Sequence, residues 1–169
     1  VYLTIDELKR MMATPCDDGE LKKAFLFACF TGLRLSDIRT FTWNKVLTTP
    51  NDSPRYIRVR MLKTQQVVNV PLSKDALGYL RETEDGDEPI FRLSSAASVI
   101  EQRLAEWAKK AGIEKHVTFH VSRHSYATMM LTIGVDIYTV SKLLGHKNVA
   151  TTQIYAKIID QKKIDAVNM

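Results

Sequence analysis

The sequence predicts an α+β fold that is mainly α-helical, with a small antiparallel β-sheet or hairpin inserted near its middle. Helix caps and terminating glycines recur along most of the chain, whereas residues 55–72 alternate between apolar and polar side chains. A length of 169 residues suits about one domain, and no internal repeat, low-complexity tract or Pro-rich linker divides it. We therefore expect a single domain over residues 1–169.

The first helices are defined by their ends. Thr4-Ile5-Asp6-Glu7 is a capping box, in which the Thr and Glu side chains each satisfy a free backbone N–H, so a helix begins here. A second helix is predicted from about residue 20, and its residues 24–30 are all apolar, which indicates burial on every side. Gly32 ends this helix, and we expect a short helical turn capped by Ser36 after it.

Residues 55–72 predict the sheet. Tyr56–Met61 alternates apolar and basic side chains, and Val67–Pro71 is rich in β-branched valine. The two segments are expected to pair as an antiparallel hairpin with Lys63–Gln66 at its tip. Lys63 would then lie on the rim of the sheet.

The remaining chain predicts helices joined by polar loops. Ser73 caps one helix, residues 84–88 form an acidic loop, and Ser95 begins a helix that ends at Gly112. Further helices are expected around 121–133, 136–144 and 150–158.

The charge balance is compatible with a polyanionic partner. Lys and Arg number 24 against 19 Asp and Glu, for a net charge of +5, but many soluble domains carry a similar excess. Cys16 and Cys29 are expected to be reduced thiols in or near the core, which is typical of an intracellular, here cytoplasmic, protein. The apolar stretch 24–30 is too short to span a membrane. Because the chain opens at Val1 without Met, we expect a fragment or a processed chain.

Basic side chains near the C-terminus indicate a phosphate site. His120, Arg123 and His124 project together if their segment is helical. Arg34 lies far upstream, after a glycine that allows a sharp turn. Two guanidinium groups brought together by folding would repel unless an anion lies between them, and arginine matches phosphate oxygens well. Taken singly, each of His120, Arg123 and His124 is more typical of a helix cap or a solvated surface.

These residues carry a resemblance to a known family. Thr31-Gly32-Leu33-Arg34-Leu35-Ser36-Asp37 resembles the first arginine motif of the tyrosine recombinases, the phage-integrase family. His120-Val121-Ser122-Arg123-His124 resembles the family's His-x-x-Arg motif, although Ser122 stands where the family usually has Leu. The last stretch to match is the one that ends in the family's tyrosine nucleophile: Leu143-Leu144-Gly145-His146 followed by Thr151-Thr152-Gln153-Ile154-Tyr155.

The resemblance covers nearly the whole chain in the right order, and it implies the catalytic domain found in phage, Xer-type and conjugative-transposon integrases. The family usually adds an N-terminal core-binding domain, which we expect to be absent from this chain. In this interpretation Tyr155 attacks a DNA backbone phosphate, releases a 5′-hydroxyl and leaves a 3′-phosphotyrosine link. Arg34 and Arg123 would hold the nonbridging oxygens, and Lys63 would protonate the departing oxygen. Because arginines supply the charge that Mg²⁺ supplies elsewhere, neither a metal nor another cofactor is expected.

Two histidines and one carboxylate complete the site that the resemblance implies. His120 would help to handle the tyrosine proton, and His146 would donate a hydrogen bond to the phosphate. Asp37 would lie near the arginines without carrying a proton. His120 and His124 are spaced for zinc in principle, but no third ligand lies close by in the sequence, so a metal site is not expected.

Two of these assignments have competitors. Tyr126 and Tyr138 are alternatives for the nucleophile, although neither has the spacing of Tyr155 from the Gly-His pair. Two other lysines stand in the same broad region as Lys63: Lys45 and Lys74.

Double-stranded DNA is the expected partner. Basic residues on one side of the hairpin would contact its backbone, or else form a solvated strand face: Arg55, Arg58, Arg60 and Lys63. The resemblance implies a homo-oligomer with four protomers on two duplexes, or a monomer in the absence of DNA. The tail 158–169 would dock on a neighbouring subunit or on its own domain.

Site-specific DNA recombination, as in an integrase, is thus the function that the resemblance implies. One alternative is a type IB topoisomerase, which uses similar chemistry to relax supercoils as a monomer. The absence of a large clamp argues against it. The other alternative is a non-catalytic DNA-binding module of the same fold, against which the presence of all six candidate side chains argues.

Overall fold

Eight α-helices and a three-stranded sheet make up the regular structure of residues 1–48 and 55–168, which a computed structural model describes. In chain order the elements are α1 (Ile5–Ala13), α2 (Gly19–Thr31), α3 (Leu35–Arg39), β1 (Val46–Thr48), β2 (Arg55–Arg60), β3 (Val67–Pro71), α4 (Lys74–Gly78), α5 (Ala97–Lys110), α6 (Val121–Thr132), α7 (Ile137–Leu144) and α8 (Gln153–Val167). Short 3-10 turns at Trp43–Lys45 and Val149–Thr151 precede β1 and α8. The α+β prediction is confirmed.

The sheet is antiparallel throughout, in the order β1-β2-β3. Ile57 pairs with Val70 and Val59 pairs with Val68, and all four side chains are buried against the helices. This register confirms the predicted hairpin, with its turn at 62–66. Strand β1 is not predicted by the sequence.

Several helix ends agree with the sequence and others do not. The Thr4 hydroxyl accepts from the Glu7 N–H at 3.2 Å and Glu7 Oε1 accepts from the Thr4 N–H at 3.0 Å, so the capping box is present. The Ser36 cap is wrong, because the N-cap of α3 is Arg34 and Ser36 lies inside the helix. Similarly, the N-cap of α5 is Ala96 rather than Ser95.

The last helix is longer than predicted. Helix α8 begins at Gln153 and continues to Val167, well beyond the expected end near residue 158. Residues 160–168 are exposed, so most of the predicted tail is the exposed half of a helix, and the Lys162 ammonium lies 4.8 Å from the centre of the Tyr2 ring. Met169, its last residue, lies outside the described residues.

Helix α2 is the centre of the core and fixes the position of α6. The Phe25 ring meets Trp107 of α5 and Phe119, just before α6, edge-on with centroids 5.7 Å apart in each case. Residues 24–29 are all buried, as the apolar run predicts. None of the helices within the described residues is long and apolar enough to cross a membrane.

Gly32 turns the chain sharply where α2 ends. Its φ of +75° is one that residues with a side chain rarely adopt, and an added Cβ would lie 2.7 Å from Cδ1 of Tyr126. We expect Gly32→Ala to lower the free energy of unfolding by about 2–4 kcal/mol, from backbone strain and overpacking together. Urea denaturation measures this change.

Gly19→Ala is the matched control for Gly32→Ala. A Cβ added at Gly19 would meet no atom within 4 Å, and the residue has no left-handed φ. We expect its free energy of unfolding to stay within about 0.5 kcal/mol of the parent. Equal midpoints for both variants would contradict the account of Gly32.

Candidate active site

Side-chain contacts gather the ends of α2, α6, α7 and α8 and the β2–β3 turn on one side of the molecule. Arg123, near the start of α6, is at the centre and is 2% exposed. Its Nη1 donates to the Gly32 carbonyl at 2.8 Å and its Nη2 donates to the Leu144 carbonyl at 2.7 Å. These carbonyls lie at the C-terminal ends of α2 and α7, where the helix dipole is negative and stabilises a buried cation. The pKa of Arg123 falls to about 10 because of burial and the Arg34 charge, so the guanidinium stays protonated near neutral pH.

Arg34 reaches the same pocket from the start of α3. Its Nη1 contacts Sδ of Met61 at 3.6 Å, and its buried Nε has no hydrogen-bond partner among the described residues. Asp37, one turn further on, is 1% exposed, and its Oδ1 accepts from the Leu62 N–H at 2.9 Å. Asp37 therefore anchors the β2–β3 turn directly before Lys63.

His146 follows Gly145, whose φ of +75° ends α7. His146 Nδ1 lies 2.6 Å from the hydroxyl of the fully buried Thr152, which fixes the plane of the ring. The pKa of His146 falls to about 4 because burial, Arg123 and Arg34 all disfavour the imidazolium. The ring is therefore neutral at neutral pH, and Nε2 carries its proton when Thr152 donates to Nδ1.

His120 and Lys63 lie at the open edge of the pocket, and both are exposed. The pKa of His120 falls to about 4, first because of desolvation and then because His124, Arg123, Arg34 and Lys63 act on it. Lys63 is thus close enough to influence this imidazole.

Tyr155 lies in the first turn of α8 with its side chain only 5% exposed. Burial raises the pKa of its phenol, while Arg123 and Arg34 lower it less strongly, which places the phenol within electrostatic reach of both arginines. Its hydroxyl lies 2.6 Å from Nδ1 of His124. The sequence does not assign His124 to the tyrosine, and its position after Arg123 is the only available signal.

The competing residues are placed elsewhere. Tyr126 is 2% exposed and packs against Gly32, whereas the Tyr138 ring is 59% exposed beneath the Lys142 ammonium. Lys45 donates to the Thr40 carbonyl at 3.0 Å. Lys74 is exposed at the start of α4.

The predicted basic face of the sheet is divided. Arg58 and Arg60 point outward together, and their side chains donate to Asn69 Oδ1 at 3.0 Å and the Gln65 carbonyl at 3.3 Å. Arg55 is an odd number of residues from both Arg58 and Arg60, so the alternation of side chains along a strand places it on the opposite face of the sheet. There it lines a surface cleft with Trp43. The sheet therefore does not bring Arg55 to the face of the other two arginines.

The pocket has an excess of positive charge. None of the ion pairs formed between described residues includes Arg34, Arg123 or Lys63. Within residues 1–48 and 55–168, no third His, Cys, Asp or Glu joins His120 and His124 in a metal-ligand group. Asp37 is a buried carboxylate near Arg123, but it is a single negative charge beside several cations, so the group keeps a positive excess that suits an anion with several oxygens.

Comparison with known proteins agrees with this geometry. Residues 1–162 match the model of the phage integrase family. A tyrosine recombinase of Thermosipho africanus (strain TCF52B) is 35% identical in a match that covers 98% of this chain and 60% of the relative. The chain thus spans about three-fifths of the length of that relative.

Solved structures share the fold. The crystal structure of XerA recombinase superposes with a TM-score of 0.69 at 31% identity, over 92% of this chain and 59% of that one. XerH site-specific recombinase, bound to a palindromic difH substrate in a post-cleavage complex, gives a TM-score of 0.76 at 17% identity, over 100% of this chain and 53% of that one. The family match over 162 of the 169 residues shows that the chain belongs to the phage integrase family.

Proposed function

We propose that this domain cleaves and rejoins DNA strands as part of a site-specific recombinase, with Tyr155 as the nucleophile. The observation that carries the proposal is the pocket that gathers Arg34 and Arg123, neither of which forms an ion pair with a described residue, close enough to Tyr155 for both charges to lower the pKa of its phenol. A DNA phosphodiester carries the negative charge that would balance the positive excess of this pocket. A phenol also becomes a phosphodiester on attack, which keeps the bond energy for rejoining.

Each group has a defined task in this mechanism. The guanidinium of Arg34 and the N–H groups of Arg123 that do not bond carbonyls bind the nonbridging oxygens. His146, with its ring fixed by Thr152, donates from Nε2 to the same phosphate. Lys63 protonates the 5′ oxygen as it departs. Asp37 holds the turn that carries Lys63, and its charge favours the protonated guanidinium of Arg123.

The relatives favour a recombinase over a type IB topoisomerase, since the matched Thermosipho africanus protein is a tyrosine recombinase. XerH was crystallised on a palindromic substrate, and a palindrome presents the same half-site to two copies of a protein. We extend the proposal to an assembly of four protomers on two duplexes, in which Arg58 and Arg60 contact the DNA backbone.

Covalent trapping tests the proposed function. Full-length protein carrying this chain is incubated with nicked duplex DNA from the region around its gene, in parallel reactions with and without EDTA, and denatured. We expect adducts whose DNA is joined through its 3′ end to a peptide containing Tyr155. Their sequences identify the cleaved site for later assays. Non-covalent binding without adducts would favour the DNA-binding module, and loss of adducts on adding EDTA would contradict the metal-free mechanism.

Arg34→Ala is expected to slow adduct formation by about 10²–10³-fold, because it removes one preorganised donor to the phosphate. The fold should be unaffected, since Nε has no partner to lose and Nη1 contacts only the Met61 sulfur. DNA affinity should change by less than about tenfold, since Arg34 is one of many backbone contacts.

Arg92→Ala is the control for charge in this experiment. Arg92 is exposed and paired with Glu88, so its loss also removes one positive charge. We expect the control to form adducts at the parent rate. Equal rates for the two arginine variants would remove Arg34 from the site.

A further inference from the structure

The nucleophile's hydrogen-bond partner is a residue that the family pattern did not assign. His124 Nδ1 lies 2.6 Å from the Tyr155 oxygen, and the two rings are inclined at 50° with centroids 5.6 Å apart. His120 has no hydrogen bond to Tyr155 among the described contacts. It packs edge-on against the His124 ring instead, with centroids 4.6 Å apart.

The surroundings of His124 favour a neutral imidazole. Burial lowers the pKa of His124, and the Arg123 charge lowers it further. The titratable groups that face it are His120 on its own side and Tyr155 from α8. A neutral imidazole has one nitrogen that accepts and one that donates, while the phenol has a proton to give. The 2.6 Å contact is therefore best satisfied when Tyr155 donates to Nδ1 and the His124 proton is on Nε2.

We propose that His124 is a catalytic residue that accepts the phenol proton when Tyr155 attacks the DNA phosphate. The O–H bond of Tyr155 breaks and its proton moves to Nδ1 of His124, while the phenol oxygen forms a bond to phosphorus. The bond from phosphorus to the 5′ oxygen breaks, and that oxygen takes a proton from Lys63. Rejoining reverses each transfer. This inference rests on the proposed function.

Packing around the pair agrees with a shielded transfer. Tyr155 is buried, and a small cavity of about 120 Å³ beside it is lined mainly by apolar atoms of residues such as Ile154 and Ile158. His124 is the acceptor in direct contact with the buried phenol, and a phenol with raised pKa gives up its proton slowly to water. A purely structural role is the alternative, in which His124 only holds Tyr155 in a resting position.

Two variants separate these roles. In His124→Asn the amide oxygen stands close to the position of Nδ1, so the variant keeps a hydrogen-bond acceptor and loses the base. His124→Ala loses both. The assay is the rate of adduct formation on the identified site, followed from about pH 5 to pH 9. We expect both variants to be slower than the parent by about 10²-fold at neutral pH. The parent rate should level off above the pKa of His124, whereas the variant rates should keep rising with hydroxide.

A modified substrate adds a second readout. Sulfur in place of the 5′ bridging oxygen gives a leaving group that needs no proton. It should restore the rate of Lys63→Ala but not that of His124→Asn. His116→Gln is the matched control, because His116 is an exposed histidine in the loop before α6 and should react at the parent rate.

The outcomes are distinguishable. If the parent forms no adduct, the proposed function fails. If the parent reacts and His124→Asn stays within about threefold of it across the pH range, His124 serves only to position the phenol and the inference is overturned. A faster rate in His124→Ala would likewise overturn it, by showing that the contact restrains Tyr155. Rescue of His124→Asn by the sulfur substrate would assign His124 to the leaving group.

Discussion

We expect Tyr155→Phe to abolish covalent attachment to DNA, a loss of more than about 10³-fold, because no other residue supplies an oxygen at this position. The phenol hydroxyl makes one hydrogen bond, to His124, so its removal should lower the free energy of unfolding by only about 0.5–1.5 kcal/mol. DNA affinity should be retained, since the cations of the pocket are unchanged. Adduct yield on denaturing gels and affinity from fluorescence anisotropy measure the two effects separately.

Tyr138→Phe and Tyr126→Phe are the controls for the nucleophile. Tyr138 is exposed on α7 and Tyr126 is buried in α6. Both variants should form adducts at close to the parent rate. If Tyr155→Phe still forms adducts, the attachment uses another oxygen, and the control that loses activity would identify it.

Arg123→Ala should have the second-largest effect, and it should reduce both catalysis and stability. The substitution leaves the Gly32 and Leu144 carbonyls without their donors in a buried site. At about 1–3 kcal/mol for each unsatisfied group, the free energy of unfolding should fall by about 2–6 kcal/mol. Adduct formation should be lost at the same time, because the guanidinium is also the proposed ligand of the phosphate. Urea denaturation beside the adduct assay tests both expectations.

Arg123→Lys indicates how far the two roles can be separated. Lysine keeps the charge but has no planar fork, so it can satisfy one of the two carbonyls well and not both. We expect intermediate stability and strongly reduced cleavage. An Arg123→Ala protein that unfolds at the parent's urea concentration would show that the carbonyl contacts contribute little. In that case Arg123→Ala would test phosphate binding as cleanly as Arg34→Ala, because neither variant would lose stability.

Local signals in the sequence are enough for most of the fold. The Thr4 capping box, the apolar run 24–30 and the stop at Gly32 each depend on neighbouring residues, and the structure has all three. Strand β1 escapes prediction because three residues are too short to show an alternating pattern, and it exists through its pairing with β2. The predicted Ser36 cap is wrong for a reason that also lies outside the local sequence. Arg34 takes the N-cap position without a side-chain hydrogen bond to the helix, because its side chain points to the pocket.

The site is less accessible to sequence reasoning. The order of the motifs indicates which side chains meet. It does not indicate which N–H groups of Arg123 bond to backbone carbonyls and which remain for the pocket. The contact of His124 with Tyr155 joins residues that are 31 apart in the chain and depends on the packing of α6 against α8. Spacing alone makes His124 a possible partner of His120 on one helical face. Only the position of the second helix makes it the partner of the phenol.

The bond from Asp37 to the Leu62 N–H ties the lysine-bearing turn to the same short helix whose N-cap is Arg34. One buried carboxylate therefore holds the proposed proton donor at a fixed distance from a proposed phosphate-binding arginine. A change at this carboxylate would alter the alignment of two groups that lie far apart in the chain.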